Sequence, residues 1–167
     1  LFNCNALKTL VIDTSMSLGD KLESKLSKEG TKIIIKEKAS YIIPGKIEAE
    51  NFTTMSGIST AKANDTGTGL FVGWFDPEDY TTYNIRAPEA GKYKVTFRLA
   101  GKKIHLDLSD NNGLLCRINQ DGEGGWQNWV SISREVKLPS GNNTLKLSCT
   151  SPGWNINWIQ FELISTE

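Results

Sequence analysis

The chain predicts an all-β fold, an antiparallel β-sandwich or jelly roll, preceded by a short N-terminal α/β appendage. Three observations carry that prediction. Apolar and polar residues alternate in many segments from Ile47 onward, turn-forming clusters separate those segments at short intervals, and the first 45 residues have a different character.

The appendage comes first in the chain. Leu7–Ile12 reads as a strand, Ser17-x-x-Asp20 opens a helical pattern with Leu18, Leu22 and Leu26 every four residues, and Gly30 closes it. Thr31–Lys36 reads as a second strand, which makes a small βαβ-like unit too short to hold a core alone. Residues 1–45 are therefore expected to be an appendage or the remnant of an upstream domain. Lys25, Lys28, Lys32, Lys36 and Lys38 are interleaved with Glu23, Glu29 and Glu37, a solvated face rather than a nucleic-acid patch.

Residues 46–167 are expected to form the sandwich. Tyr93, Val95, Phe97 and Leu99 alternate with Lys94, Thr96 and Arg98; Ile104, Leu106 and Leu108 alternate with His105 and Asp107. The same period runs through Leu145 and Leu147 and through Ile159, Phe161 and Leu163, so each strand has one wet side. Turns are signalled at Glu89–Gly91, Asp110–Gly113, Asp121–Gly122, Pro139–Asn143 and Ser151–Gly153.

Composition narrows the partners. Lysine plus arginine and aspartate plus glutamate are each 19 in 167 residues, so no global field favours nucleic acid or an anionic membrane. No apolar run approaches the ~18–20 residues that span a bilayer. The start, Leu1-Phe2-Asn3-Cys4, has neither Met nor a basic region before an apolar run, as expected of a piece of a longer polypeptide. Cys4, Cys116 and Cys149 are too far apart for a CxxC-type metal site; Cys116 and Cys149 either pair across neighbouring strands or stay as buried thiols. His105 is the sole histidine, and no nucleophile motif or phosphate-cradling loop accompanies it.

Three glycine-led loops carry the candidate chemistry: Gly73-Trp74-Phe75-Asp76, Gly124-Gly125-Trp126-Gln127-Asn128-Trp129 and Gly153-Trp154-Asn155-Ile156-Asn157-Trp158. Indoles supply flat stacking faces and amides supply paired donors and acceptors for hydroxyls. Without basic residues beside the rings, that combination fits a sugar better than a nucleotide. Trp126 and Trp129, three apart, point to opposite faces of an extended strand, so either one indole looks outward while the other enters a core, or both are core residues. Separately, Glu48 and Glu50 lie two apart on a predicted strand, ~6.5–7 Å from each other on one face. A solvated edge strand, a bound hard cation and a glycosidase carboxylate pair are all compatible with that spacing.

Taken in order, Lys46–Phe52 with Met55-Ser56-Gly57, Asp65-Thr66-Gly67, Val72–Asp76 with Asp79-Tyr80, Gly91-Lys92-Tyr93, Gly124–Trp129 and Trp154–Phe161 closely resemble the family 6 carbohydrate-binding modules, over about residues 46–164. The resemblance implies a noncatalytic jelly-roll sandwich attached to a secreted glycoside hydrolase, monomeric, binding a polysaccharide such as a β-glucan or xylan. It places the sugar-flanking aromatics on Trp126 and Trp74 and the hydroxyl-bonding amide on Asn155, with Trp129 turned to the core. It implies a structural Ca²⁺ held by Glu48, Glu50 and Asn157. Two positions depart from the family pattern: Ala61, followed by Lys62, stands where many members carry a ligand-touching glutamate, and Trp154 stands where a smaller aromatic is usual. Readings of another class are a glycosidase using Glu48 and Glu50, or an adhesion sandwich that binds no sugar.

Overall fold

The computed structural model describes residues 9–13, 32–36, 40–65 and 69–166. The chain divides into two compact units, Leu1–Ala39 and Ser40–Glu167. In the first, β1 (Thr9–Asp13) and β2 (Lys32–Lys36) pair in parallel from Thr9↔Lys32 to Asp13↔Lys36. The helix expected between them lies outside the described residues.

The second unit is a sandwich of two six-stranded sheets. One orders β11 (Gly113–Asp121), β10 (Lys103–Asp110), β13 (Gly141–Ser151), β8 (Tyr80–Ala87) and β3 (Tyr41–Ile42), with β5 (Thr54–Ser56) also on β8. The other orders β12 (Trp129–Leu138), β9 (Gly91–Gly101), β14 (Trp154–Thr166), β7 (Leu70–Gly73) and β6 (Ser59–Lys62), with β4 (Gly45–Glu48) also on β14. Every pairing in these two sheets is antiparallel except β3 with β8. Tyr41 and Ile42 already belong to the sandwich, so it begins before the boundary expected after residue 45.

Alternation decides what lies between the sheets. Tyr93, Val95, Phe97 and Leu99 of β9 meet Ile104, Leu106 and Leu108 of β10 and Leu145 and Leu147 of β13 in one buried cluster, while Lys94, Thr96 and Arg98 face out. Burial at ~25 cal/mol per Å² of apolar surface is what holds the two layers together. Cys116 and Cys149 are buried free thiols, and burial pushes the Cys116 thiol up to about 11. Among the described residues, no helix is long and apolar enough to cross a membrane.

One strand breaks the alternation. Along β14, Ile156 pairs with Leu99 and Trp158 with Arg98, so Asn157 is an extra residue, a β-bulge. The bulge explains why Ile156 and Ile159, three apart, both face the core, and it leaves Asn157 free to be aimed elsewhere.

Candidate functional site

The aromatic site is assembled from loops around the ends of β7, β12 and β14. Trp74 has φ of 60°, in the left-handed region that a bulky residue rarely adopts. That single step separates two consecutive aromatics: Phe75 goes inward to stack on Trp154 at 4.1 Å, while Trp74 stays 60% exposed. Trp74 stacks on Phe71 at 5.7 Å with the planes only 13° apart, and Phe71 in turn meets Trp129 at 5.9 Å. Backbone strain at a solvent-facing ring is a feature shared with ligand clamps.

The facing loop, Gly122–Asn128, precedes β12 and is not extended. Gly124 and Gly125 both take positive φ, and a Cβ on Gly125 would press against the Asn128 side chain at 2.8 Å. The loop lifts the Trp126 indole out to 65% exposure. Two bonds fix it: Asn155 Nδ2 donates to the Trp126 carbonyl at 2.7 Å, and the Gln127 amide oxygen accepts from the Asn64 backbone N–H. Asn155 itself is 4% exposed, and a Cβ at position 73 would collide with its Oδ1, which is why glycine ends β7.

Trp74, Trp126 and Asn155 thus line one cavity of about 660 Å³, together with Gly57, Phe71, Phe75, Asp76, Pro152 and Gly153. Its size falls within the range of small-ligand sites, and its walls combine ring faces with a few polar groups. The structure brings together the three residues singled out in the sequence for sugar contact. Phe71, Pro152 and Asp76 were not assigned there; the glycine at 73 was the available signal for Phe71, since it allows the close approach beneath it.

One aromatic expectation is corrected. Trp129 is half-buried rather than a core residue, because it opens β12 at the rim and packs on Phe71; its Nε1 is buried without a partner. Trp154, which stands where a smaller aromatic is usual, packs in the core. It is 1% exposed, stacked on Phe75, with its Nε1 donating to the Ser151 carbonyl at 3.0 Å.

Glu48, Glu50 and Asn157 form a separate cluster. The expectation that both glutamates sit on one strand is also corrected: β4 ends at Glu48, and the chain turns there, with Asn51 N–H donating to the Glu48 carbonyl at 3.0 Å. The turn is anchored on β14 by Ala49 N–H to the Asn157 carbonyl, 2.9 Å, and on β8 by the Tyr83 hydroxyl to the Ala49 carbonyl, 2.8 Å. Burial, with a smaller push from the nearby Glu50, holds that phenol protonated well above its usual range.

Side-chain oxygens nevertheless converge beside Gly69. From the place a Cβ would occupy there, Glu50 Oε1 is 3.4 Å away and Asn157 Oδ1 and Glu48 Oε2 are each 3.9 Å. Glu50 Oε1 accepts from Leu70 N–H at 3.1 Å, whereas its Oε2 is buried without a partner. Asn157 is held by its other amide atom: Nδ2 donates to Asp65 Oδ2 at 3.0 Å, and Asp65 takes a two-pronged bond from Arg98, Nε at 2.9 Å and Nη2 at 2.8 Å. Bonding to Asp65 raises the Arg98 guanidinium further above its ordinary value. This relay turns the Asn157 Oδ1 toward the two glutamates.

Comparison with known proteins agrees with the geometry. The carbohydrate binding module (family 6) model matches residues 48–163. The clotting factor G alpha subunit of Tachypleus tridentatus is 31% identical over 142 residues, 83% of this chain and 19% of that protein. A carbohydrate-binding module from Cellvibrio mixtus lichenase 5A, solved with cellotriose, superposes at TM-score 0.68 with 28% identity, covering 73% of this chain and 98% of that one. The C-terminal CBM6 of a marine laminarinase from Zobellia galactanivorans gives TM-score 0.64 at 28% identity, covering 74% and 98%. The chain spans about a fifth or less of the curated relatives it matches.

Proposed function

The chain belongs to the family 6 carbohydrate-binding modules, which are noncatalytic, and we propose that its Trp74–Trp126 cavity grips one sugar of a polysaccharide. The observation that carries this is the pair of indoles, 60% and 65% exposed, lining a single cavity with an amide at its base. Apolar pyranose faces lie against the rings, and the rim supplies hydrogen bonds to hydroxyls. The ligand class is a β-glucan, a xylan or a similar plant or algal glycan; the Cellvibrio module solved with cellotriose supports it. A shallow cleft over few sugar units gives weak affinity for each module.

Weak binding is useful when the module is tethered. Covalent attachment to a glycoside hydrolase would hold that enzyme at its substrate by effective concentration. We place the module in a secreted protein, acting as a monomer. The short matched fraction of its relatives, one a cycloisomaltooligosaccharide glucanotransferase of Niallia circulans and another a β-agarase of Microbulbifer thermotolerans, supports attachment to larger proteins.

Glu48 and Glu50 do not line the aromatic cavity, so they are not its catalytic pair. The oxygens around Gly69 suit a hard cation instead. Ca²⁺ takes carboxylate and carbonyl-type oxygens, and the orphaned Glu50 Oε2 is a buried charge in need of one. Glu48, Glu50 and Asn157 would hold it, and its charge would fix the turn after β4 to β14. Among the described residues no three His, Cys, Asp or Glu side chains cluster, so the set depends on the Asn157 amide.

A glycan microarray followed by calorimetry with the best-bound oligosaccharide tests the cavity. Trp126→Ala is expected to abolish binding and leave the melting temperature unchanged. Normal binding by that variant would refute the assignment.

A further inference from the structure

Trp126 is a wall shared by two cavities. Beside the first lies a second cavity of about 360 Å³, lined, besides Trp126, by Gly101, Lys102, Lys103, Gly125, Pro152 and Gly153. Pro152 and Gly153 border both spaces, so the two adjoin. The arrangement is fixed by backbone: Gly122 N–H donates to the Lys102 carbonyl at 2.9 Å and Gly124 N–H to the Gly101 carbonyl at 3.1 Å, clamping the Trp126 loop onto the β9–β10 turn.

The two spaces differ in charge. Asp76 is the one charged residue along the first, whereas Lys102 and Lys103 are the charged residues along the second. Both lysines are exposed, and neither forms an ion pair among the described residues. Asp121 faces Lys103 across the β10–β11 pair and Glu123 lies in the same loop, yet neither borders the cavity. A chain acidic at every unit would meet the Asp76 carboxylate; a neutral chain would leave two ammonium groups without a partner.

We propose that the cavity of Lys102 and Lys103 is a second saccharide subsite that takes an anionic sugar unit, carboxylated or sulfated, next to the neutral unit held in the cavity that shares Trp126. The inference rests on the saccharide reading of the Trp74–Trp126 cavity and names the glycan class: neutral in backbone, acidic in substituent or neighbouring unit. Two ammonium groups at an exposed rim give a modest, salt-sensitive preference.

The test is calorimetry on the whole chain with three probes: a neutral xylo-oligosaccharide, the same oligosaccharide carrying glucuronic acid, and a sulfated gluco-oligosaccharide. One or both acidic probes should bind about tenfold tighter than the neutral one at low salt, with the gain fading at high salt. The variant Lys102→Gln/Lys103→Gln should lose that gain and keep the neutral affinity. A preference for only one acidic probe supports the proposal and identifies the anion. Equal binding of all three, or a preference that survives the double substitution, overturns this inference alone. Binding of none overturns the saccharide reading with it.

Discussion

Asn155 Nδ2 and the Trp126 carbonyl are joined at 2.7 Å, so the last strand holds the loop that presents the most exposed indole. Asn155→Asp sets a carboxylate against that carbonyl and removes the donor. We expect saccharide affinity to fall about tenfold or more while the sandwich stays folded, because a buried acceptor left unmet costs about 1–3 kcal/mol. Calorimetry beside a thermal melt separates the two effects; unchanged affinity would sink the idea.

Trp74 holds a conformation that costs an L-residue roughly 1–2 kcal/mol. Trp74→Gly relieves it but removes a ring that stacks on Phe71. The expected outcome is a melting temperature equal to or above that of the parent together with a clear loss of saccharide binding. A variant both less stable and fully binding would contradict the role given to this strain.

Calcium should stabilise without touching the sugar. Saturation at about 100 times the dissociation constant adds about 2.7 kcal/mol, a rise of several degrees in the melt. Glu50→Gln should remove the response to added Ca²⁺ and to EDTA. An identical melt in EDTA and in Ca²⁺ would count against the site.

Arg98 and Asp65 form a pair whose carboxylate side chain is only 6% exposed. Arg98→Met takes the guanidinium from that carboxylate, which keeps the Asn157 amide. Because Arg98 keeps partial exposure, we expect about 2 kcal/mol of destabilisation, below the ~3–5 for fully buried pairs. Asp65→Asn/Arg98→Met should recover part of it in denaturant titrations.

Asp110 gives a pH dependence. Burial raises its carboxyl, but bonds from Asn143 Nδ2 at 3.0 Å, the Asn112 backbone and side chain, and Gly113 N–H outweigh it and hold the group below its ordinary range. A depressed folded value means stability that is present at neutral pH and lost as pH falls through that value. Asp110→Asn should therefore destabilise at pH ~7, with the gap from the parent closing below about pH 4. A gap independent of pH would rule this out.

Much of this was legible in the chain. Strict alternation in β9, β10 and β13 told inside from outside, because burial on one face imposes a period of two. Glycines before Trp74 and Trp126 marked places where backbone must turn sharply, and the structure gathers both rings with Asn155 in one cavity. What could not be read was set by contacts distant in sequence. Trp154 is buried because Phe75 lies beneath it, Trp129 is half-buried because Phe71 stops it at the rim, and Asp65 meets Arg98 across 33 positions. Ile156 and Ile159 hinted at the bulge, since two core residues three apart do not fit a regular strand.

That extra residue in β14 also bears on how such a module can vary over generations. Removing Asn157 would restore a regular ladder and leave every other side chain on its face, since Ile156 already pairs with Leu99 and Trp158 with Arg98; what would go is the amide that bonds Asp65 and points at the two glutamates. The core does not need the extra residue, so only its place beside Glu48, Glu50 and Asp65 can keep it there. A relative that lost this residue would keep its core and its Trp126 loop and lose only the oxygen cluster beside Gly69.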